Sequence, residues 1–242
     1  MTTVLLRLEG PLQAWATQSK FGIRDTDREP SKSGVLGLVG AALGMERDDD
    51  EQLAQLRTLS MAVRVDRPGS LLRDYHTVGG GSFRDRSERA PAARRYFAFD
   101  ADDDKVGSSC IPTERYYLQD AAFTVALNGA PELVERVAAA LRTPHWPIFL
   151  GRRACVPSAT VLMGVVDVNG EDAVRGALID EVDRKVRRMR LVVEAPPERD
   201  GEPRYDDPLS FRRGNRRYAA RYVKTEWLDV PEPSESAKEV EA

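Results

Sequence analysis

The apolar segments of this chain follow one order of strands and helices, and that order restricts the folds it can adopt. Short runs rich in Val and Leu are typical of strands, whereas apolar residues spaced three or four apart are typical of helices with one buried side. The predicted strands are residues 3–8, 61–65, 71–78, 121–127 and 160–168, and the predicted helices are residues 34–45, 51–59 and 131–141. Together they form a β-α-β-β-α-β pattern with one additional strand.

This pattern predicts an α+β fold with a ferredoxin-like (RRM-like) palm domain over residues 1–168. RNA-recognition domains share that topology, but the aromatic signature of their central strands is absent from this sequence. Topology alone does not assign a function. Beyond it, residues 169–229 are predicted to form a small β-rich C-terminal subdomain. Within that region, residues 204–224 carry seven positive and two negative charges, interleaved with Tyr205, Phe211, Tyr218 and Tyr222.

The charge of the chain is distributed unevenly. The formal net charge is −3, but residues 229–242 alone hold five acids and one lysine, so the remainder of the chain has a net charge of +1. Residues 230–242 are predicted to be a disordered acidic tail. Net charge therefore neither supports nor excludes RNA as a partner. Arginine makes up most of the 36 basic residues, which suits bidentate contact with phosphate.

Composition places the chain among globular proteins, with 41% hydrophobic and 31% charged residues. No apolar run approaches the roughly 20 residues of a membrane helix. The apolar run at the N-terminus is too short for a signal peptide, and a charged residue follows it too early. We therefore expect a cytoplasmic protein. The two cysteines and two histidines lie far apart in the sequence and lack the spacing of metal ligands; they are Cys110, Cys155, His76 and His145. We therefore expect no zinc site, no other cofactor and no disulfide.

A long segment, residues 79–118, interrupts the pattern of strands and helices. It begins with three glycines and shows no convincing core element, and segments of this kind inside a compact domain are usually functional or disordered. Its basic residues include Arg84, Arg86, Arg94 and Arg95. A basic segment at the end of a strand fits a phosphate backbone, but a solvated arginine-rich loop without a ligand fits the residues equally well.

The strand at residues 71–78 presents candidate ligand-binding side chains on both of its faces. Period-two alternation places Asp74 and His76 on one face, and Arg73 and Tyr75 on the other. All but Asp74 are groups that can contact RNA, and they directly precede the basic segment. Arg73, Tyr75 and His76 are therefore candidate RNA-binding residues.

Other candidate RNA-binding residues come from three separate segments. The polar stretch after the first strand supplies Trp15, Lys20, Arg24 and Arg28, although Trp15 also fits a core anchor. Ser33 precedes the first helix, whose N-terminus is a potential phosphate site. Gly34, Gly37 and Gly40 on that helix favour tight packing over ligand contact. Pro147 and Pro157 bracket a turn that contains Arg152 and Arg153, which predicts a rigid basic corner.

Four ordered motifs resemble one family: LRLEGPLQAW, PSKSGVLGLVGAALG, LRDYHTV and LGRRACVP. They are similar to the Cas-five family of CRISPR-associated proteins, in its type I-E branch, over residues 4–165. The resemblance implies a palm that holds the 5′ handle of the crRNA in the Cascade complex of antiviral defence, with residues 79–118 as an inserted thumb. It implies the large subunit CasA and the backbone subunit CasC as direct partners, CasE elsewhere in the complex, and target DNA as an indirect partner.

We expect a binding subunit rather than an enzyme. Relatives that cleave the guide precursor use Tyr, Lys and His, but Tyr75 and His76 are adjacent, so their side chains point to opposite faces of a strand, and no Lys lies nearby. The resemblance assigns cleavage in type I-E systems to CasE. An endoribonuclease acting on repeat RNA, and a standalone RNA-binding regulator, remain the alternatives. A cleavage assay on repeat RNA separates the first alternative from a binder.

Overall fold

A computed structural model describes residues 1–16, 19–20, 22–78, 98–99, 105–107, 111–179 and 188–230. The helices in this part of the chain are Lys32–Leu43 (α1), Asp50–Arg57 (α2), Pro131–Arg142 (α3) and Gly170–Gly176 (α4), with a short 3-10 helix at Pro197–Arg199. The strands are Thr2–Glu9 (β1), Leu12–Gln13 (β2), Ser19–Lys20 (β3), Ile23–Arg24 (β4), Ser60–Arg67 (β5), Ser70–Val78 (β6), Ala98–Phe99 (β7), Lys105–Gly107 (β8), Ile111–Gln119 (β9), Ala122–Gly129 (β10), Leu162–Val166 (β11), Arg188–Glu194 (β12), Glu202–Ser210 (β13) and Arg217–Asp229 (β14).

The main sheet has seven strands in the order β11-β1-β10-β5-β12-β14-β13, and every neighbouring pair is antiparallel. Its first four strands belong to the predicted β-α-β-β-α-β pattern. Counted along the chain, they lie in the order fourth, first, third, second. The helices predicted at residues 34–45, 51–59 and 131–141 correspond to α1, α2 and α3. The mixed α+β class with mostly antiparallel sheets is therefore confirmed.

A second sheet is built around β9. One edge of β9 pairs with β6 along the full length of both strands, from Ser70 opposite Gln119 to Val78 opposite Ile111. Its other edge pairs with β2 and with β4, and β3 pairs with β4. The short strands β7 and β8 pair with each other.

Strand β9 corrects the expectation that residues 79–118 contain no core element. Tyr117 and Leu118 at its end are only 5% and 3% exposed. The rest of β9 carries polar residues such as Thr113, Glu114 and Arg115 on a hairpin, so its sequence lacks the apolar alternation that marks a half-buried strand. Among the residues of the predicted thumb, only this strand and β7 and β8 are described.

The glycines of α1 allow close packing on Trp15. A side chain at Gly34 would place its Cβ 2.8 Å from a ring carbon of Trp15, and one at Gly40 would place it 2.6 Å from the end of Met45. Trp15 is 1% exposed, and its indole N–H donates to Gln13 Oε1 at 2.9 Å. The expectation that the glycines serve packing is therefore confirmed at Gly34 and Gly40.

The strands predicted after residue 169 are present as β12, β13 and β14, and they continue the main sheet beyond β5. Helix α4, which the sequence did not predict, covers the sheet on the face opposite α1. Buried Arg64 holds the end of α4 there, donating to the carbonyls of Val174, Ala177 and Leu178 at 2.6, 2.8 and 3.0 Å. Because each guanidinium N–H finds an acceptor, Arg64 can be buried at low cost.

Cys155 is a buried free thiol, and Cys110 lies outside the described residues. Within those residues, no three His, Cys, Asp or Glu side chains are grouped so as to bind a metal ion. None of the described helices combines the length and the apolar character needed to cross a bilayer.

Candidate nucleic-acid interface

The turn at residues 150–155 packs against the segment that follows β1. The Leu150 N–H donates to the Cys155 carbonyl at 2.7 Å, and the Ala14 N–H donates to the Leu150 carbonyl at 3.1 Å. Gly151 has a φ of +92°, and a Cβ there would lie 1.8 Å from the Ala14 carbonyl oxygen. Only glycine fits this position, because it tolerates both the backbone conformation and the close approach. Two of the four sequence motifs are thus in direct contact.

Arg152 uses its guanidinium to join this turn to the second sheet. Its terminal nitrogens donate to the backbone carbonyls of Tyr116, Arg24 and Asp25 at 2.8 to 2.9 Å. The guanidinium carbon also lies 4.9 Å from the centre of the Tyr117 ring, a cation–π contact. The guanidinium of Arg152 is therefore used in contacts within the chain. This geometry does not present it to RNA, which the sequence had led us to expect.

Arg152 draws a group of arginines together on one face of the second sheet. This corner face carries Asp74 and His76 from β6, Arg115 from β9 and Arg24 from β4, because directly paired residues point to the same side of a sheet. Arg153 follows Arg152 and is exposed. The side chains of Arg24 and Arg153 form neither hydrogen bonds nor ion pairs with any described residue. The corner face therefore carries Arg24 and Arg115, of which Arg115 donates to Thr113 Oγ1 at 3.3 Å, and exposed Arg153 lies in the adjoining turn.

The opposite, outer face of the second sheet carries Arg73 and Tyr75. Arg73 donates to both carboxylate oxygens of Glu114, at 2.6 and 3.1 Å. The hydrogen bond with Arg73 lowers the pKa of Glu114, and the same bond raises the pKa of Arg73. Tyr75 is 64% exposed. A phosphate would have to compete with Glu114 for Arg73, whereas the Tyr75 ring is open to solvent and available for stacking.

Two predicted RNA-binding residues are buried. Trp15 lies in the core, so its ring is not available to a base. Ser33 is 8% exposed, and the α1 N-terminus beside it already holds a carboxylate: the Lys32 N–H donates to Asp206 Oδ2 at 2.8 Å. Ser31 caps the same helix by accepting from the Gly34 N–H. The structure therefore corrects the phosphate site expected at this helix end, because Asp206 of β13 occupies it.

The remaining predicted residues are dispersed. Arg28 is exposed and lines a cleft of about 360 Å³ together with Arg190, Arg204 and Tyr205. In that cleft the buried carboxylate of Glu29 accepts hydrogen bonds from Arg190 and Arg204. Lys20 is part of β3, opposite Ile23. Arg84, Arg86, Arg94 and Arg95 lie outside the described residues.

Arg115 was missed because its strand was not predicted. The signal available was the Arg115-Tyr116-Tyr117 run, in which a basic residue precedes two aromatics at the end of a strand. Tyr116 donates its hydroxyl to Glu114 at 3.2 Å and so belongs to the outer face. The structure thus brings together Arg24, Arg115 and Arg153 from three distant segments, with His76 on the same face as the first two.

The chain is similar to proteins of CRISPR systems. The CRISPR RNA-guided surveillance complex contains a chain that is 36% identical, with a TM-score of 0.73 over 95% of this chain and 91% of that one. A second solved structure, described as a crystal structure of a Cas protein, is 34% identical, with a TM-score of 0.66 over 94% and 95% of the two chains.

A sequence relative covers less of the chain. The CRISPR system Cascade subunit CasD of Escherichia coli (strain K12) is 37% identical over 173 residues, which is 66% of this chain and 70% of that protein. The model of the family described as CRISPR-associated protein (Cas_Cas5) matches residues 3–224, almost the whole chain. The protein with this fold and this basic corner therefore belongs to the CRISPR-associated protein (Cas_Cas5) family.

Proposed function

We propose that this chain is an RNA-binding subunit of a CRISPR Cascade complex, that it holds the 5′ handle of the crRNA, and that it positions the guide for target recognition. The observation that carries the proposal is that Arg24 and Arg115 share the corner face, and that Arg152 attaches the turn with exposed Arg153 to the Arg24 carbonyl. Arg24 and Arg153 have no acidic partner among the described residues, so their charge is available to phosphates. The similarity to a chain of an RNA-guided surveillance complex supports the same function.

The proposal includes a division of the chain by role. Residues 1–168 form a ferredoxin-like palm, supported by the order of β11, β1, β10 and β5. Residues 79–118 are the thumb, with the β6–β9 pairing as its base. Residues 169–229 are a β-rich extension of the palm, and residues 230–242 are an acidic tail. In the complex we place the chain against CasA and CasC, in the cytoplasm, with CasE as another subunit.

We also propose that the subunit has no catalytic role. Strand scission needs an acid and a base within hydrogen-bond reach of the reacting atoms. Tyr75 lies on the outer face and His76 on the corner face, so the two side chains cannot act together on one phosphate. His145 lies in a different part of the fold, next to Gly44 in the turn after α3. An endoribonuclease assembled from these described groups is therefore not favoured.

The test removes three charges, two on the corner face and Arg153 in the adjoining turn, in the assembled complex. We expect the combined variant Arg24→Gln, Arg115→Gln and Arg153→Gln to weaken retention of the guide RNA. Because each phosphate contact on a single strand contributes about 0.7 to the slope of log K against log salt, the slope should fall by about 2. Filter binding of labelled crRNA over a salt series measures both quantities.

A matched control removes three charges elsewhere. Arg47, Arg142 and Arg199 are exposed and have no ion pair with any described residue. Their combined replacement by Gln changes the net charge equally and should leave the salt slope as it is in the unmodified complex. Equal slopes for the two triple variants would show that the corner face does not hold the RNA backbone.

A further inference from the structure

The β13–β14 hairpin forms a two-stranded ribbon that extends beyond the rest of the main sheet. Strand β12 pairs with β14 only from Val223 to Asp229, so Arg217–Arg221 pair with β13 alone within the described residues. Asn215 and Gly214, with a φ of +73°, form the turn at its tip. No residue of the corner face belongs to this ribbon. Residues 204–224 hold basic and aromatic residues to which the proposed function assigns no role.

One face of the ribbon is fixed to the helices. Asp206 accepts from Arg221 Nε at 2.6 Å and Nη2 at 2.9 Å, and both residues are buried. Asp207 accepts from Arg57 of α2, with the shortest contact at 2.5 Å. Phe211 packs near Gly37 of α1. These contacts hold the ribbon in one position, so the side chains on its other face are presented without further ordering.

The other face of β14 exposes Tyr218 and Tyr222, which are 36% and 40% exposed. The two tyrosines are four residues apart, so they share a face. The small residue between them on that face is Ala220, which leaves space between the rings. Four residues of an extended strand span about 13 Å. The same face continues to Lys224, which pairs with Glu226 at 3.3 Å.

The tip of the ribbon is basic. Residues 211–225 include six basic residues and no acidic one. Of these, Arg221 is neutralised by Asp206, and Arg212 lies 3.1 Å from Asp50. Arg216 and Arg217 are exposed and form no ion pair with any residue that the structure describes. Positive charge therefore remains at the end of the row of tyrosines.

We infer that this face of the ribbon binds a single strand of nucleic acid, with bases stacked on Tyr218 and Tyr222 and phosphates near Arg216 at the tip. Aromatic rings set along a basic surface are the arrangement that binds single strands with little sequence preference, because every base has a π-face. The absence of acids from residues 211–225 gives the charge complementarity that a phosphate backbone requires.

This surface is separate from the corner face. The second sheet leaves the main sheet at the Arg67 end of β5, through the turn before β6. The register from β5 through β12 to β14 places residues 217–221 beyond the other end of β5, past Ser60. The strand bound there is therefore either a distant part of the guide RNA or a strand of the target DNA, and the two sources share one recognition chemistry.

The test measures binding of fluorescent oligouridine and oligothymidine by the full-length chain, free and in the assembled complex. Replacing both tyrosines, Tyr218→Thr and Tyr222→Thr, should weaken binding by about tenfold or more, since stacking on one ring alone can account for that loss. The pair Tyr218→Phe and Tyr222→Phe keeps the rings and should bind nearly as well as the unmodified chain. Arg216→Gln should lower the salt slope by about 0.7.

Trp227→Thr is the matched control, because Trp227 is an exposed aromatic on the opposite face of the same strand. It should leave binding unchanged. In the complex, release of the guide by the Thr variants identifies RNA as the ligand, and loss of target strand separation with the guide retained identifies DNA. Unchanged binding of both oligonucleotides by the Thr variants, or an equal loss in the Phe variants, would overturn the inference. If guide retention depended only on the corner face, the inference about the ribbon would fail for the guide RNA but the proposed function would still hold.

Discussion

Arg152 and Arg153 are adjacent in the sequence, but their guanidinium groups are in different environments. Arg152 bonds three backbone carbonyls from two strands and the segment after them, whereas Arg153 is exposed. A guanidinium that joins backbone carbonyls of separate segments stabilises the fold, because its loss breaks every one of those hydrogen bonds. An exposed guanidinium can contribute its charge to a ligand instead.

We predict that Arg152→Ala lowers the free energy of unfolding by about 2–4 kcal/mol. The variant loses three hydrogen bonds and the contact with the Tyr117 ring. Arg153→Ala should change the free energy of unfolding by no more than about 0.5 kcal/mol and should still weaken guide retention. Thermal unfolding of both variants, followed by circular dichroism, measures the first effect. Equal melting temperatures for the two would contradict the assignment.

The residue types of this site could be predicted from the sequence, but their partners could not. The Gly-Arg-Arg turn bracketed by prolines indicated a rigid basic corner, and the corner is present. The partners of Arg152 are backbone carbonyls, which every residue has, so no pattern of side chains reveals them. Trp15 fitted a core anchor as well as a stacking residue, and its burial involves close packing on Gly34 of α1, which belongs to a different element.

At the scale of elements, Asp206 links the C-terminal ribbon to α1. Its carboxylate accepts from the Lys32 N–H at the helix N-terminus, where a negative charge is favoured. Burial raises the pKa of Asp206, but the hydrogen bonds and the charge of Arg221, together with the Lys32 N–H, outweigh burial and hold that pKa below its usual value. The ionised carboxylate is therefore the form that stabilises the fold.

The pKa of Asp206 is lower in the folded chain than in the unfolded one. The ionised carboxylate therefore contributes fully to the stability of the fold above about pH 4, and this contribution is lost as the pH falls further. We predict that Asp206→Asn lowers the free energy of unfolding by about 3 kcal/mol at neutral pH, since buried Arg221 then keeps only the more distant carboxylate of Glu194, at 3.7 Å. The difference in free energy of unfolding between this variant and the unmodified chain should shrink below about pH 4. Urea unfolding at several pH values measures this difference.

Asp200→Asn is the control for that experiment. Asp200 is exposed, with a φ of +59°, a conformation that Asn also tolerates. Its replacement should have little effect at any pH. A cost of Asp206→Asn that stays constant down to pH values where carboxylates are protonated would mean that shape, not charge, is what Asp206 provides.

Elements with a buried apolar face were predictable, and elements without one were not. Strands β1, β5 and β10 are apolar runs in the centre of the sheet, and α3 has apolar residues on one side. Strand β9 was missed because it forms a hairpin with β6 whose faces carry charged residues. Helix α4 has only seven residues, and buried Arg64 of β5 contributes to holding it, a contact that local sequence does not encode.

At the scale of the whole molecule, the base of the proposed thumb has its own strand pairing. β6 and β9 are paired along their full length, so removal of residues 82–110 leaves both strands complete. We predict that this deletion changes the melting temperature of the chain little and leaves processing of the guide precursor intact. It should weaken assembly or target DNA binding, because Arg84, Arg86, Arg94 and Arg95 are lost with it.

The measurement is a gel of guide RNA from complexes that contain the deletion, beside a binding assay with target DNA. His76→Ala serves as a second variant and should also leave processing intact. If the purified subunit alone cleaved repeat RNA and His76→Ala abolished that cleavage, the subunit would be a nuclease.

The pairing of strands that lie far apart in the chain could not be predicted from the sequence. The C-terminal strands were expected from their composition, but their attachment to β5 depends on the register between Arg190 and Val65. The same holds for Asp206, whose partners Lys32 and Arg221 belong to elements far apart in the chain. A local pattern predicts which residues form strands, whereas the neighbours of an edge strand are decided by the packing of the whole sheet.

The position of β1 has a consequence for synthesis of the chain. Its two neighbours are β10 and β11, so one edge of β1 stays open until residues 122–129 have been made and the other until residues 162–166 have been made. At about 5–20 residues per second, the ribosome needs roughly ten to thirty seconds to reach the end of β11 after completing β1. During that time an apolar strand with at least one open edge is exposed to other chains. Newly made protein should therefore be most vulnerable to aggregation before its second half emerges, and co-expression with a chaperone should raise the yield of folded chain.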